Sequence, residues 1–175
     1  MGTQILIAVA LALAALLGYA ATRPDEFAVS RSLRIAAPPE RLFAQINDLR
    51  AMNAWNPFVQ QDPELKGDYS GPASGPGAGY SFQGRKSGAG RIAITDAQPP
   101  SQVTMQLDMT APMEGHNRIQ FTLRPVDGQT EVTWSMSGRT NFASKLIGVF
   151  VSMDGMIGGQ FDNGLQQLKT LAEKP

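Results

Sequence analysis

This 175-residue chain contains few side chains that are suited to acid-base catalysis. His116 is the only histidine, and as a general base it would need an orienting acid, for which Glu114 is the only close one in sequence. His116 shares strand parity with Arg118 and Gln120, which predicts that it lies on a polar outer face. Because there is no cysteine, thiol nucleophiles, disulfides and cysteine-ligated metals are excluded. The spacing of these groups predicts no catalytic residue, no metal site and no cofactor.

Arg31 interrupts the apolar face of the first predicted strand, in which apolar and polar residues alternate over residues 27–35. A buried arginine needs an acidic partner, and Asp154 or Asp162 in the C-terminal segment could supply one. Alternatively, Arg31 grips a carboxylate or another polar head of a ligand, since guanidinium groups bind carboxylates through two parallel hydrogen bonds. A bulge near the strand end that turns Arg31 to solvent is the third interpretation.

Short helices are predicted directly after this strand. Pro38 and Pro39 end the strand, and Pro39 and Glu40 are both typical of the first turn of a helix. Apolar residues between 42 and 49 then recur at helical spacing. An aromatic and proline-containing motif, Trp55–Phe58, follows and precedes a region rich in glycine and proline.

The middle of the chain predicts an antiparallel sheet with one covered face. Further alternating segments predict strands around residues 80–82, 92–94, 103–109, 119–123 and 132–136. Asp127-Gly128, between the last two, is a strong hairpin signal. The stretch at 66–90 is interpreted as turns, because Gly75–Gly79 has neither the Gly-Lys-Ser/Thr nor the following helix of a phosphate loop. One apolar and one polar face throughout favour antiparallel pairing.

The C-terminal segment is predicted to cover the apolar face of the sheet. Apolar residues fall at helical spacing from Phe142 to Leu171, which predicts one helix of about thirty residues, kinked at Gly158-Gly159. The fold class is therefore α+β: a curved antiparallel sheet of about six to seven strands wrapped on a long C-terminal helix, with two short helices after the first strand. A helix on a strongly curved sheet leaves room for a cavity.

From Phe27 to about Ala172 the chain resembles the START-like helix-grip superfamily (SRPBCC), and within it the polyketide-cyclase/dehydrase-type branch. The segments that carry the resemblance are Ala37–Phe43 (APPERLF), Trp55–Phe58 (WNPF), Tyr69–Pro72 (YSGP), Gly88–Arg91 (GAGR) and Thr133–Gly138 (TWSMSG). The resemblance implies the helix-grip fold. It does not imply one function, because the superfamily includes lipid carriers, cyclases, hydrolases and co-chaperone-like domains.

The resemblance also implies that the binding site is the cavity between the sheet and the long helix. Its candidate ligand-binding residues, besides Arg31, are inward-facing aromatic and methionine side chains. They are Trp55, Phe58, Tyr80, Phe82, Met105, Met109, Phe121, Trp134, Met136, Phe150 and Met153. Flexible thioethers suit an adaptable apolar pocket. The alternative is that these residues simply fill the core.

The first residues are predicted to lie outside the globular domain. Ile5–Ala21 contains no charge, and as a helix of roughly 25 Å it is at the short end of what spans a bilayer. A cleaved signal peptide is the alternative, with Gly18 and Ala20 spaced like a cleavage site, although no Lys or Arg precedes the run. The predicted division is a transmembrane or signal segment at 1–22, a linker at 23–26 and a START-like domain at 27–175. The side of the membrane stays open, and cleavage would make the domain secreted or periplasmic.

Three functional hypotheses follow. The first is a membrane-anchored domain that binds a small apolar or amphipathic molecule without catalysis, and the second is a cyclase/dehydrase-like enzyme that acts on such a molecule. The third, a protein-interaction domain, would need an exposed apolar patch on the outer sheet face, where mostly polar residues are predicted. Nucleic acid is not an expected partner, because Lys+Arg and Asp+Glu are both 15 and no basic stripe is present.

Overall fold

The computed structural model describes residues 2–140, 142–150, 152 and 154–174. Its helices and strands, in chain order, are α1 (Gly2–Ala21), β1 (Glu26–Ile35), α2 (Pro39–Asn47), α3 (Leu49–Asn53), α4 (Pro57–Gln60), β2 (Lys66–Ser70), β3 (Gly79–Gln83), β4 (Ala89–Gln98), β5 (Gln102–Ala111), β6 (Gly115–Val126), β7 (Gln129–Arg139), α5 (Phe142–Ile147), a π-helical turn (Asp154–Gly158) and α6 (Gly159–Ala172).

The seven strands form one antiparallel, curved sheet in the order β1-β7-β6-β5-β4-β3-β2. The first strand therefore pairs with the last, and every other pair is a hairpin neighbour along the chain. Asp127 and Gly128 form the turn between β6 and β7 with φ angles of 51° and 76°. Two consecutive positive φ angles are typical of the tight hairpin turn that this dipeptide favours. The predicted fold class is confirmed.

The helix α6 covers the inner face of the sheet and buries Phe161, Leu165 and Leu168. Gly164 allows α6 to approach closely, because a Cβ atom there would lie 2.7 Å from Cζ3 of Trp134 and 2.9 Å from Cδ of Pro57. A single glycine thus brings α6, β7 and α4 into contact. The aromatic rings of Trp134 and Phe161 stack with centroids 4.2 Å apart.

A proline begins the first of the short helices after β1, and capping side chains begin the other two. Pro39 opens α2, and the Asp48 carboxylate accepts hydrogen bonds from the backbone N–H groups of Arg50 and Ala51 to begin α3. Asn56 caps α4 in the same way, with its side-chain oxygen 3.1 Å from the backbone nitrogen of Phe58. Each cap satisfies N–H groups that a short helix leaves free at its start.

Three details differ from the sequence prediction. Three short helices, rather than two, follow β1, and β2 lies in the region interpreted as turns. The C-terminal pattern does not form one helix of about thirty residues, because α5 ends at Ile147 and helical structure resumes only at Asp154. Every residue of β2 is exposed, so the strand carries no apolar alternation that could have predicted it.

The N-terminal helix α1 is 20 residues long, and Ala20 is its only residue that the structure describes as buried. It is the one helix among the described residues that is long and apolar enough to cross a membrane. Length and composition alone do not distinguish an anchor from a signal sequence.

Candidate ligand-binding cavity

A cavity of about 500 Å³ lies between the inner face of the sheet and the cover formed by α4, the π-helical turn and α6. This volume is within the range of small-molecule sites. Its apolar wall includes Phe27, Met52, Phe58, Val59, Leu65, Tyr80, Phe82, Ile92, Leu107, Met109, Ile119, Trp134, Met136, Ile157 and Phe161. The inner face is therefore not completely filled by its own side chains.

Six of the predicted ligand-binding residues line this cavity, and they are Phe58, Tyr80, Phe82, Met109, Trp134 and Met136. The strands place them there by alternation, since successive side chains of a strand point to opposite faces. Phe58 comes from α4, where it packs edge-to-face against Trp134 at 6.3 Å between ring centroids. The structure thus brings together residues from α4, β3, β5 and β7.

The other predicted residues that the structure describes do not line the cavity. Met105 and Phe121 are fully buried within the core, and Trp55 is buried beside a smaller pocket of about 310 Å³ at the end of α6. Phe150 is 74% exposed, because it follows α5 instead of continuing the covering helix. Met153 lies outside the described residues.

Arg31 does not line the cavity either, and its place explains the charge on the apolar face of β1. Its guanidinium makes two 2.8 Å hydrogen bonds with the Asp154 carboxylate and a 3.2 Å hydrogen bond with Asp162. The sequence-based suggestion of these two acids as partners agrees with this geometry. The hydrogen bonds from Arg31 hold the pKa of Asp154 below its usual range, and the pKa of Arg31 is raised in turn.

Sequence reasoning missed most of the lining residues. Leu107 and Ile119 share strand parity with predicted neighbours, and Ile92 pairs with the predicted Tyr80, so the alternation itself could have found them. It also missed polar side chains in the wall, which include Asn53, Asn56, Gln61, Ser87, Asn117 and Gln160. No sequence signal distinguished these from ordinary surface residues.

The indole N–H of Trp134 is the one buried side-chain donor without a hydrogen-bond partner in the described part of the chain. Trp134 is 1% exposed and lies among four aromatic neighbours, so no solvent reaches the group. Trp55 offers a contrast, because its indole nitrogen donates to the backbone oxygen of Gln45 at 3.2 Å. A buried donor left unpaired is unfavourable, and such groups are rare in folded proteins.

One rim of the cavity is held by Asp62, which is almost fully buried. Its carboxylate accepts hydrogen bonds from the backbone nitrogens of Lys86 and Ser87 at 2.7 and 2.9 Å, and these bonds lower its pKa. The hydroxyl of Ser87 donates to the backbone oxygen of Phe58 at 2.5 Å. Together these bonds join the β3–β4 hairpin to α4 as one unit.

Among the described residues, the acidic and basic side chains do not converge inside the cavity. His116 lies on the outer face, as its parity predicted, with its Nδ1 2.7 Å from a carboxylate oxygen of Asp108. Burial raises the pKa of Tyr80, whose hydroxyl lies over Gly67 of β2, where a Cβ atom would come within 2.2 Å of it. No group of three potential metal-ligating side chains occurs among the residues that the structure describes.

A curved antiparallel sheet that closes on a C-terminal helix around an apolar cavity defines a helix-grip protein. The chain belongs to the polyketide cyclase/dehydrase and lipid transport family, whose model matches residues 26–173. The comparison with curated proteins found no match to this chain.

Solved structures share this fold at low sequence identity. Protein CV1439 from Chromobacterium violaceum is 16% identical, with a TM-score of 0.63 over 87% of this chain and 100% of its own. The Aha1 dimer from Colwellia psychrerythraea is 20% identical, with a TM-score of 0.60 over 84% and 96% of the two chains. Protein MLL2253 from Mesorhizobium loti is 15% identical, with a TM-score of 0.61 over 83% and 96%. At these identities the likeness concerns the fold alone.

Proposed function

We propose that this protein is a membrane-anchored domain that binds a small hydrophobic or amphipathic molecule non-covalently and does not transform it. The observation that carries the proposal is the cavity of about 500 Å³, which is walled mainly by apolar side chains. Burying apolar surface of a ligand there is favourable by roughly 25 cal/mol per Å². The name of the family, which includes lipid transport, is consistent with such a ligand.

The ligand class is narrowed by Trp134. Its side chain lines the cavity, but the surrounding rings exclude water from its unpaired indole N–H, so a ligand oxygen would satisfy this buried donor once ligand entry displaces one of those rings. The benzo edge of the ring faces Gly164 of α6, so the opposite edge, which carries the N–H, is directed away from that helix. We therefore propose an amphipathic ligand with a carbonyl, hydroxyl or carboxylate oxygen, rather than a pure hydrocarbon.

The non-catalytic part of the proposal rests on where the charged lining residues lie. Lys86, Glu114 and Arg139 are the ionisable lining residues apart from Tyr80, and all three are exposed at the cavity mouth. General acid-base catalysis needs a titratable group within hydrogen-bond reach of the reacting atoms. Among the described residues, the deep wall offers hydrophobic, amide and indole groups and the phenol of Tyr80, whose hydroxyl lies against Gly67 of β2.

The anchoring part rests on α1. Its side chains are exposed along nearly its whole length, which is typical of a helix that contacts lipid rather than a protein core. Mass measurement of the mature protein from a membrane fraction distinguishes the anchor from a cleaved signal. A retained α1 supports the anchor, and a mature chain that begins after Ala21 refutes it.

Native mass spectrometry of the purified full chain, followed by solvent extraction, tests ligand binding. We expect a bound mass that solvent extraction removes, because the proposed interaction is non-covalent. The variant Met109→Trp would place a larger ring in the cavity wall and should reduce the bound fraction. Val126→Trp, at the far end of β6, adds the same ring away from the cavity and should leave the bound fraction unchanged. A wild-type protein without any bound molecule, which also fails to take up long-chain fatty acids or alcohols, would refute the proposal.

A further inference from the structure

The cavity opens at the end of the sheet that is nearest to α1. The strand register aligns the first residue of β1 with the last of β7, since Glu26 pairs with Arg139. The same end contains the β5–β6 turn at 112–114, because Met109 pairs with Gly115. It also contains the β3–β4 hairpin, because Gln83 pairs with Ala89. Residues of all these segments line the cavity mouth.

The segment that follows β7 is attached to the last turn of α1. Arg23, just after α1, donates a hydrogen bond from Nη2 to the backbone oxygen of Gly148 at 2.5 Å. Lys145 of α5 forms an ion pair with Asp25 on the other side of the same linker. Ala20, in the last turn of α1, is fully buried in this region. These contacts fix α5 at the point where α1 meets the globular domain.

Exposed apolar side chains concentrate at this end. Apart from Tyr69, every exposed large apolar residue that the structure describes after α1 belongs to the mouth or to the segment beside it, namely Met113, Phe142, Ile147, Phe150 and Met156. Single exposed apolar residues are ordinary, but a cluster beside a candidate membrane span points to an apolar partner. We name these five residues the mouth patch.

The charges around the mouth patch fit a lipid headgroup layer. Arg85, Lys86 and Arg139 are exposed at this end, and Asp25, Glu26 and Glu114 are exposed acids there, of which Asp25 is paired with Lys145. Basic side chains beside a membrane-spanning helix interact favourably with phosphate-containing headgroups. Apolar side chains between them would enter the boundary between headgroups and acyl chains, as in helices that lie in the membrane interface.

We propose that the mouth patch lies in the membrane interface, so that the cavity opens onto the bilayer and exchanges its ligand directly with it. This inference rests on the proposed anchoring and binding function, and it adds the orientation of the domain and the route of the ligand. If α1 spans the membrane, its last turn lies at the interface, and α5 is held against that turn. An amphipathic molecule could then move between bilayer and cavity without crossing water.

The absence of cysteine allows a test on the full chain without a background signal. Phe150→Cys, Ile147→Cys and the control Val126→Cys are each labelled with a fluorescent probe and reconstituted in nanodiscs that contain brominated lipids. We expect quenching at 147 and 150 to exceed that at 126 severalfold, because Val126 lies at the opposite end of the sheet. Equal quenching at 150 and 126 would overturn the proposal. Protection of 147 and 150 in native membranes but not in nanodiscs would also overturn it, since a partner protein would then cover the patch.

Ligand exchange is tested with an anthroyloxy-labelled fatty acid that is added in vesicles. Phe150→Asp should slow its transfer to the reconstituted protein roughly tenfold, since a charge in place of an apolar ring opposes insertion. Equilibrium binding should stay unchanged, because Phe150 does not line the cavity. Equal transfer rates would contradict the proposed route. If the wild-type protein binds no fatty acid, the proposed function fails, while the quenching pattern still decides whether the mouth patch enters the membrane.

Discussion

The two buried tryptophans provide a matched pair for testing the unsatisfied donor in the cavity wall. Trp55 and Trp134 are both 1% exposed, and they contact each other edge-to-face at 5.8 Å between ring centroids. Only Trp55 has a partner for its indole N–H, the backbone oxygen of Gln45. Trp55→Phe and Trp134→Phe remove the same atoms from the same aromatic cluster, so the fate of the N–H group is the main difference between them.

The expected difference in stability follows from that group. In Trp55→Phe a hydrogen bond that contributes about 1 kcal/mol is lost, and the Gln45 carbonyl loses its indole donor. In Trp134→Phe an unpaired buried donor that costs about 1–3 kcal/mol is removed. Trp55→Phe should therefore lower the free energy of unfolding by roughly 2–4 kcal/mol more than Trp134→Phe.

Urea unfolding of the delipidated full chain in mild detergent, followed by far-ultraviolet circular dichroism, measures this difference. Adding a ligand with an acceptor oxygen should stabilise the wild-type protein and Trp55→Phe more than Trp134→Phe, because only the last cannot donate to it. Equal losses of stability for the two variants, with equal stabilisation by ligand, would refute the reasoning that the Trp134 N–H is free to bind the ligand.

Three further predictions concern the supports of the cavity. Gly159→Ala should stabilise the protein by about 0.5–1 kcal/mol, because alanine favours the helix and nothing lies within 4 Å of a Cβ atom at this position. Gly158→Ala should not stabilise it, because a Cβ atom at position 158 would lie 2.0 Å from Nη2 of Arg31. Equal gains of the two variants in thermal unfolding would contradict this reasoning. The folded-state pKa of Asp154 is lowered, so its contribution to stability is complete above the unfolded pKa of about 3.9 and is lost as the pH falls through the folded value. Wild-type protein should accordingly lose more stability than Asp154→Asn between pH 5 and pH 2 (roughly the range of that titration), and identical pH profiles would show that the ion pair adds nothing. Asp62→Asn should increase hydrogen exchange at the backbone amides of Lys86 and Ser87, whereas the control Asp68→Asn, on the exposed strand β2, should not. Unchanged exchange in Asp62→Asn would show that other contacts hold the hairpin.

The sequence predicted the fold where a local pattern and burial agree. The strands β3 to β7 each have one buried face, so their alternation predicted both the strands and the inward position of Tyr80, Met109 and Trp134. The strand β2 was not predicted, because it is an exposed edge strand that is held by pairing with β3 rather than by burial of its own side chains. Helical spacing after residue 142 gave no sign that the chain leaves the helix, so Phe150 was placed in the cavity and is exposed instead.

The candidate site was predicted in part for the same reason. The charge of Arg31 on an apolar face required a partner, and the two acids suggested for it do bind it. Whether a buried side chain borders empty space or other side chains depends on how closely the layers approach each other. That distance is set by residues remote in sequence, such as Gly164 beneath Trp134, and for this reason Met105 and Phe121 could not be separated from Met109 and Met136.

Residues of β1, and Ala36 directly after it, hold both ends of the helix α6. Arg31 binds Asp154 and Asp162 near the start of the helix, and at its end Glu173 accepts a hydrogen bond from the backbone nitrogen of Ala36 at 2.7 Å. The covering helix is thus held at both ends, and a ligand that needs more room must displace another wall. That wall is the unit of α4 and the β3–β4 hairpin, which borders the exposed strand β2. If the proposed ligand binds in this cavity, the range of ligand sizes would therefore be set by how far this hairpin wall can move, and not by α6.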